Sequence, residues 1–221
     1  MKLRAIGSNT KWLVLARLQH WNSVLAARKF RSKRGLKIQL GCGARPLQGW
    51  VNCDYCRNRF SQPDLCFDLR NRFPFADGSA AIVHSEHVLE HIAYPGDSLH
   101  VLAESMRVLE PGGVLSIGVP DPGWVLPAYV NGSECGYFEW FQKSSGAPAP
   151  MRTRMEAVNY LFRQGGEHQF IYDEETLAAL LARAGFVNVR RREFDPARDT
   201  EDRKIGTIYM DAEKRRTPIN E

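Results

Sequence analysis

Residues 36–54, LKIQLGCGARPLQGWVNCD, decide the fold. The apolar run holding Ile38 and Leu40 reads as a buried strand and ends in Gly41-Cys42-Gly43. A second short apolar run ends in an acid, Asp54. Glycines after a buried strand let a ligand approach backbone that a side chain would otherwise screen. An acid at the end of the next strand suits the two hydroxyls of a ribose. Together they imply a nucleoside-cofactor site on an α/β sheet.

Outward from this stretch, strands and helices alternate, the pattern of a mostly parallel sheet. Strands are predicted at 36–41, 50–54, 64–67, 80–84 and 113–119. Asp97 is the expected cap of a helix with the stripe Leu99, Leu102, Met106 and Leu109, stopped by Pro111-Gly112-Gly113. Asp173 is the expected cap of another, which buries Leu177, Leu180, Leu181 and Ala184 and ends at Gly185. Two late strands, 186–194 and 204–210, flank a charged connection and can pair antiparallel. The link from Gly43 to Asp54 leaves room for about one turn of helix.

At 221 residues the chain suits one domain with a full core. No apolar run approaches the ~18 residues that span a bilayer. Arg17 interrupts the WLVLA stretch early, which argues against a secretory signal. Five irregularly spaced cysteines suggest reduced thiols and a cytoplasmic setting. Cys53 and Cys56 form a CxxC with no second pair to complete a zinc tetrahedron. Charge is concentrated at one end. The first acid is Asp54, and eleven of the 30 bases precede it, leaving 19 against all 25 acids.

Residues 1–35 therefore form a basic arm. Trp12, Leu13, Leu15, Ala16, Leu18, Trp21, Val24 and Leu25 predict an amphipathic helix within it. Such a helix suits peripheral contact with an anionic membrane, a nucleic acid, or an organelle transit sequence. It can equally pack on its own domain with its charges solvated. The domain proper is expected over 36–221. Within it, residues 120–170 break the alternation, with Trp124, Tyr129, Tyr137, Phe138, Trp140, Phe141, Tyr160 and Phe162 among prolines and glycines. This reads as an acceptor-binding insert or lid, or as a satellite core.

Five features in order carry a family resemblance: LGCG, the acid Asp54, the step Asp68-Leu69-Arg70, the segment FPFADGSAAIVHSEHVLEHI and the turn RVLEPGG. They resemble class I S-adenosylmethionine-dependent methyltransferases, and most of all the broad group called type 11. The resemblance runs from about Leu36 to Lys214. It implies a Rossmann-like seven-stranded methyltransferase sheet with helices on both faces and a C-terminal antiparallel hairpin. It also implies S-adenosyl-L-methionine as cofactor. Gly41, Cys42 and Gly43 would then line the turn beneath its methionine part, and Asp54 would bind the ribose. Asp68 and Leu69 would flank the adenine, and His84 and Ser85 would lie near the sulfonium. Arg45-Pro46 stands where the family's fuller motif has a third glycine, which disfavours a pyrophosphate cofactor.

In SEHVLEHI a helix would set Val88, Leu89 and Ile92 on one side and His87, Glu90 and His91 on the other. With His168 these form a candidate divalent-metal site. The pattern resembles the metal-binding segment of small-RNA 2′-O-methyltransferases and ubiquinone-pathway O-methyltransferases, with His87 in place of the first acid. A plain hydrogen-bonding role for Glu90 and His91 is the alternative. His87, His91 and His168 are also candidate general bases for an oxygen acceptor. The expected activity is O-methylation of a small molecule, lipid-linked sugar or glycan. The rivals are an RNA methyltransferase and a non-catalytic cofactor-binding regulatory protein.

Overall fold

The computed structural model describes residues 17–132 and 153–216. Trp12, Leu13, Leu15 and Ala16 of the arm, and Tyr137, Phe138, Trp140 and Phe141 of the insert, lie outside them. Seven strands form one sheet: β1 Leu36–Leu40, β2 Val51–Asp54, β3 Leu65–Cys66, β4 Ala80–Glu86, β5 Leu109–Pro120, β6 Val187–Arg191 and β7 Thr207–Glu213. Their order is β3-β2-β1-β4-β5-β7-β6. Strands β1 to β5 pair in parallel, and β7 runs antiparallel between β5 and β6. This is the Rossmann-like methyltransferase sheet with its closing hairpin.

Successive residues of a strand point to opposite faces, and here the faces differ in kind. Ile38, Leu40, Val83, Leu115, Ile117, Ile208 and Met210 belong to one buried core. Helix α2 (Gly96–Val108) adds Val101, Leu102 and Val108 to it. A further helix, Glu174–Arg183, adds Leu177, Leu180 and Leu181. The intervening strand residues Gln39, Asn52, His84, Glu86, Ser116 and Asp211 are buried and polar. The connection between β6 and β7 serves them. Its buried Asp199 accepts from the Arg192 guanidinium, which also bonds Asp211 at 3.1 Å and Ser116 at 3.1 Å.

Helix α1 covers residues 17–26. Helix α3 (Pro122–Asn131) follows the carboxyl end of β5 and packs on α4 (Arg154–Arg163). Asp173 caps the helix Glu174–Arg183, here α5, by accepting from Thr176 N at 2.8 Å.

Several expectations are corrected. Asp97 is not a cap: α2 starts one residue earlier, and Asp97 stands in its first turn, where its charge still favours the helix N-terminus. Leu109 and Pro111-Gly112-Gly113 belong to β5, whose register against β4 shifts between Ala80 and Ile82. The glycines form a bulge there rather than a mere stop, and Gly112 sits at φ +81°. The β1–β2 link holds turns and no helix. Gln39 and Asn52 clamp it instead, both accepting from Leu47 N, at 3.0 and 2.8 Å. The last strand starts at Thr207, not 204, because a 3₁₀ turn over Glu201–Arg203 and Gly206 at φ +81° precede it.

Candidate active site

The carboxyl ends of β1, β2 and β4 open on a cavity of about 840 Å³. That is ample for a nucleoside-sized ligand. Its floor is the Gly41-Cys42-Gly43 turn. Both glycines have positive φ, +68° and +51°, and nothing lies within 4 Å of a side chain added at Gly43. Gly41 is required for a different reason. A methyl group there would run into the Cγ2 of Val88, itself a cavity residue. Burial, then the nearby Asp54 carboxylate, pushes the Cys42 thiol up to about 11, so it stays protonated.

Asp54 anchors this turn. Its Oδ2 accepts from Gly43 N at 2.7 Å and Ser61 Oγ at 2.9 Å, and its Oδ1 accepts from Tyr55 N at 2.7 Å. A carboxylate offers about four lone-pair sites, so Oδ1 keeps one for a ribose hydroxyl. Ser61 was not foreseeable, since a serine in a polar loop carries no pattern.

Asp68 and Leu69 also border the cavity. Burial works against the Asp68 charge. The Arg70 guanidinium, bonded at 2.9 and 2.6 Å, overrides it and holds the carboxyl below its ordinary value.

The segment after β4 departs from the expected helix. The strand continues through Glu86, and His87 N donates to Gly118 O at 2.8 Å. His87 then turns at φ +54°, and a single 3₁₀ turn covers Leu89–His91. Pairing with β5 outweighs helix formation, and a short apolar run does not distinguish the two. The cavity is lined here by Glu86, His87 and Val88. His84 and Ser85 do not line it. His84 lies on the polar sheet face, 1% exposed and 3.9 Å from Asp199. Neither ring nitrogen has a hydrogen-bond partner among the described residues, and burial above all brings its pKa down to about 4.

Glu86 is a hub that sequence reading passed over. Its Oε1 accepts from Tyr209 OH at 3.0 Å and Thr200 N at 3.1 Å, and Arg203 donates to its backbone oxygen at 3.1 Å. Burial, then the Glu86 charge, raises the Tyr209 phenol far above its usual range.

Three of the four expected histidine–carboxylate groups converge. One ligand atom each from Glu90, His91 and His168 lies within 4.8 Å of the others. Backbone pairing makes this possible: Glu90 O accepts from Gln169 N at 2.7 Å, which brings His168 beside His91. His87 adjoins through Nδ1, 3.8 Å from Glu90 Oε1, while its Nε2 meets Thr207 Oγ1 at 2.8 Å.

The protonation pattern of the cluster follows from its partners. His91 Nδ1 faces Glu167 O at 3.2 Å, and His168 Nδ1 faces Leu161 O at 2.6 Å. A carbonyl only accepts, so each Nδ1 carries the hydrogen and each Nε2 keeps its lone pair. Burial lowers the pKa of both rings and of His87. Glu90 is fully buried, neither of its carboxyl oxygens has a hydrogen-bond partner among the described residues, and burial raises its pKa to about 8.

A glycine turn under a large cavity, closed by an acid at the end of β2 on a 3-2-1-4-5-7-6 sheet, defines a nucleoside-cofactor-binding α/β enzyme. Residues 16–191 match the family described as a methyltransferase domain, and the chain belongs to that family. It is an S-adenosylmethionine-dependent methyltransferase. The open backbone at Gly43 and the spare lone pair of Asp54 fit that cofactor.

Among similar solved structures, a SAM-dependent methyltransferase from Archaeoglobus fulgidus is 16% identical, with 92% of this chain and 94% of that one aligned at a TM-score of 0.48. The phosphoethanolamine N-methyltransferase 2 of Haemonchus contortus, in complex with S-adenosyl-L-methionine, is 13% identical at a TM-score of 0.45, covering 89% of this chain and 53% of that one. A curated relative, an uncharacterized 37.1 kDa protein in a Streptomyces fradiae transposon, is 46% identical over 48 residues, 22% of this chain and only 13% of its own length. No helix among the described residues is long and apolar enough to cross a membrane.

Proposed function

We propose that this enzyme methylates an oxygen of a small hydroxylated acceptor, such as a sugar of a glycan or lipid-linked saccharide. One observation carries the reading: the Nε2 lone pairs of His91 and His168 and the buried carboxyl group of Glu90 meet beside the cofactor cavity. The cofactor supplies a methyl group already activated on a positive sulfur. The protein must align the acceptor with it and relieve an attacking hydroxyl of its proton. A neutral imidazole with a free Nε2 can take that proton. Asp97, Gln169 and Arg203 on the wall offer hydrogen bonds to further hydroxyls. Arg45, Arg70 and Arg203 are each paired with a carboxylate, so the rim favours a polyol over an RNA backbone.

The same cluster suits a divalent cation held by Glu90, His91 and His168, with His87 adjoining. A tetrahedron with ~2.1 Å bonds has edges of about 3.4 Å, so the donors need close by little more than 1 Å. The carbonyls behind each Nδ1 are the outer partners that metal-bound histidines usually have. A bound cation would lower the acceptor hydroxyl's pKa.

The test combines methyl transfer to a panel of hydroxylated acceptors with metal analysis. His91→Ala is expected to cut turnover by about 10²–10⁴-fold while S-adenosylhomocysteine still binds. Unchanged turnover, or methyl found on nitrogen, refutes the oxygen reading. Equal metal content in wild type and His91→Ala removes the cation.

A further inference from the structure

Helix α1 is inverted for a helix that merely packs on its own domain. Its inward contacts are small or polar. Cys66 N donates to Ser23 Oγ at 2.6 Å, Arg57 N to Gln19 Oε1 at 2.6 Å, and His20 Nε2 to Tyr55 O at 2.8 Å. The large apolar residues face away: Leu18 is 59% exposed, Trp21 73%, Val24 58% and Leu25 47%. At about 100° per residue these four fall within an arc of about 120°, and Arg17 lies in the same arc. Burying that arc would remove four sizeable side chains from water, which nothing among the described residues does.

The charge bordering the helix is mostly basic, with exposed Asp64 beside Asn22 and Ala26 as an exception. Arg17, Arg28, Lys29, Arg31, Lys33, Arg34 and Lys37 are exposed, and none pairs with a carboxylate among the described residues. No acid occurs anywhere before Asp54. Next to the helix, the β2–β3 connection exposes Phe60 with Arg59 over its ring at 4.3 Å. An outward apolar strip containing tryptophan, bordered by unpaired bases, complements a surface that is apolar below and anionic above.

We propose that the outer face of α1 docks on an anionic phospholipid surface, with Leu18, Trp21, Val24 and Leu25 inserted and the flanking bases on the headgroups. Tyr55 ties this face to the cofactor cavity. It lines the cavity, and it holds His20 of α1 through its backbone oxygen and an edge-on ring contact at 5.2 Å. Docking would therefore set the cavity mouth beside the headgroups, whichever acceptor it serves.

The experiment is sedimentation of the full chain with phosphatidylcholine vesicles, with and without phosphatidylglycerol. Trp21→Ala/Leu25→Ala and Lys29→Glu/Lys33→Glu serve as variants, and S-adenosylhomocysteine binding reports their integrity. Expected is retention on the mixed vesicles alone, falling as salt rises. Each double variant should weaken it at least tenfold with cofactor binding intact. No retention, equal retention on neutral vesicles, or retention untouched by either variant overturns the proposal. So does a self-associated wild type that Trp21→Ala/Leu25→Ala turns monomeric, because the face would then belong to a second copy.

Discussion

Placing alanine at Gly41 tests the cavity floor most directly. Gly41 has φ +68°, a conformation that costs an L-residue about 1–2 kcal/mol. The new methyl would also lie deep inside contact with Val88 Cγ2, and 3.4 Å from its Cβ and Cγ1. Overpacking of this kind costs about 1–3 kcal/mol, so Gly41→Ala should lose about 2–5 kcal/mol in all. A protein of ordinary stability, about 5–15 kcal/mol, survives that loss. Val88 lines the cavity and is the side chain that must yield, so S-adenosylhomocysteine affinity should fall at least tenfold, about 1.4 kcal/mol. Val88→Ala removes the offending methyl. The double variant should keep only the backbone cost, giving a coupling of about 1–3 kcal/mol in a double-mutant cycle. Urea unfolding and calorimetric titration read both quantities. A Gly41→Ala protein within about 0.5 kcal/mol of wild type, or strict additivity with Val88→Ala, would refute the reasoning.

Asp54→Ala removes the acceptor of three hydrogen bonds, from Gly43 N of the cofactor turn, Tyr55 N and Ser61 Oγ, each worth about 1.5–3 kcal/mol when the acceptor is charged. Calorimetry should find S-adenosylhomocysteine binding weakened about a hundredfold or more. Ser61→Ala should cost about 1 kcal/mol in stability yet retain binding, because it frees an oxygen of Asp54. Weakened binding in Ser61→Ala would mean that the turn, not the ribose contact, is what Asp54 supplies. His84 gives a pH signature. The unfolded chain protonates it near 6.5 and the folded protein only near 4, so its contribution is intact above about pH 6.5 and is lost as pH falls toward 4. Between about pH 7.5 and about pH 5 this amounts to about 2 kcal/mol. Urea unfolding of His84→Phe should lack that loss, and the same loss in both proteins would clear His84 of it.

The sheet was largely legible because its strands are short, apolar and separated by glycines and acids in the expected sequence. Asp173 announced α5 through ordinary capping chemistry. The failures have a common cause. At 87–91, at 109–113 and before Thr207, the backbone follows its strand partners and positive-φ residues rather than local periodicity. Glu90, His91 and His168 could be grouped from spacing and residue type. That Glu90 has no hydrogen-bond partner among the described residues depends on residues far away in the chain, which no window of sequence displays. Glu86 and Thr207 became visible only when distant loops closed over the carboxyl end of β4, and Ser61 only when its loop folded back on Asp54 at the end of β2. His84 and Ser85 lie off the cavity because strand alternation and length both matter there: the strand runs to Glu86, three residues beyond its apolar run.

The interior position of β7 bears on how the enzyme is made. Glu86 and His87 wait for Thr200, Thr207 and Tyr209, so the reaction chamber is finished only by residues near the far end of the described chain. During translation, β1 to β5 emerge first and leave the β5 edge unsatisfied. Such an edge invites pairing with a neighbouring nascent chain. Completion of the cavity wall must therefore wait for the β6–β7 connection, and clipping between Arg192 and Gly206 should disarm the enzyme while sparing the glycine turn.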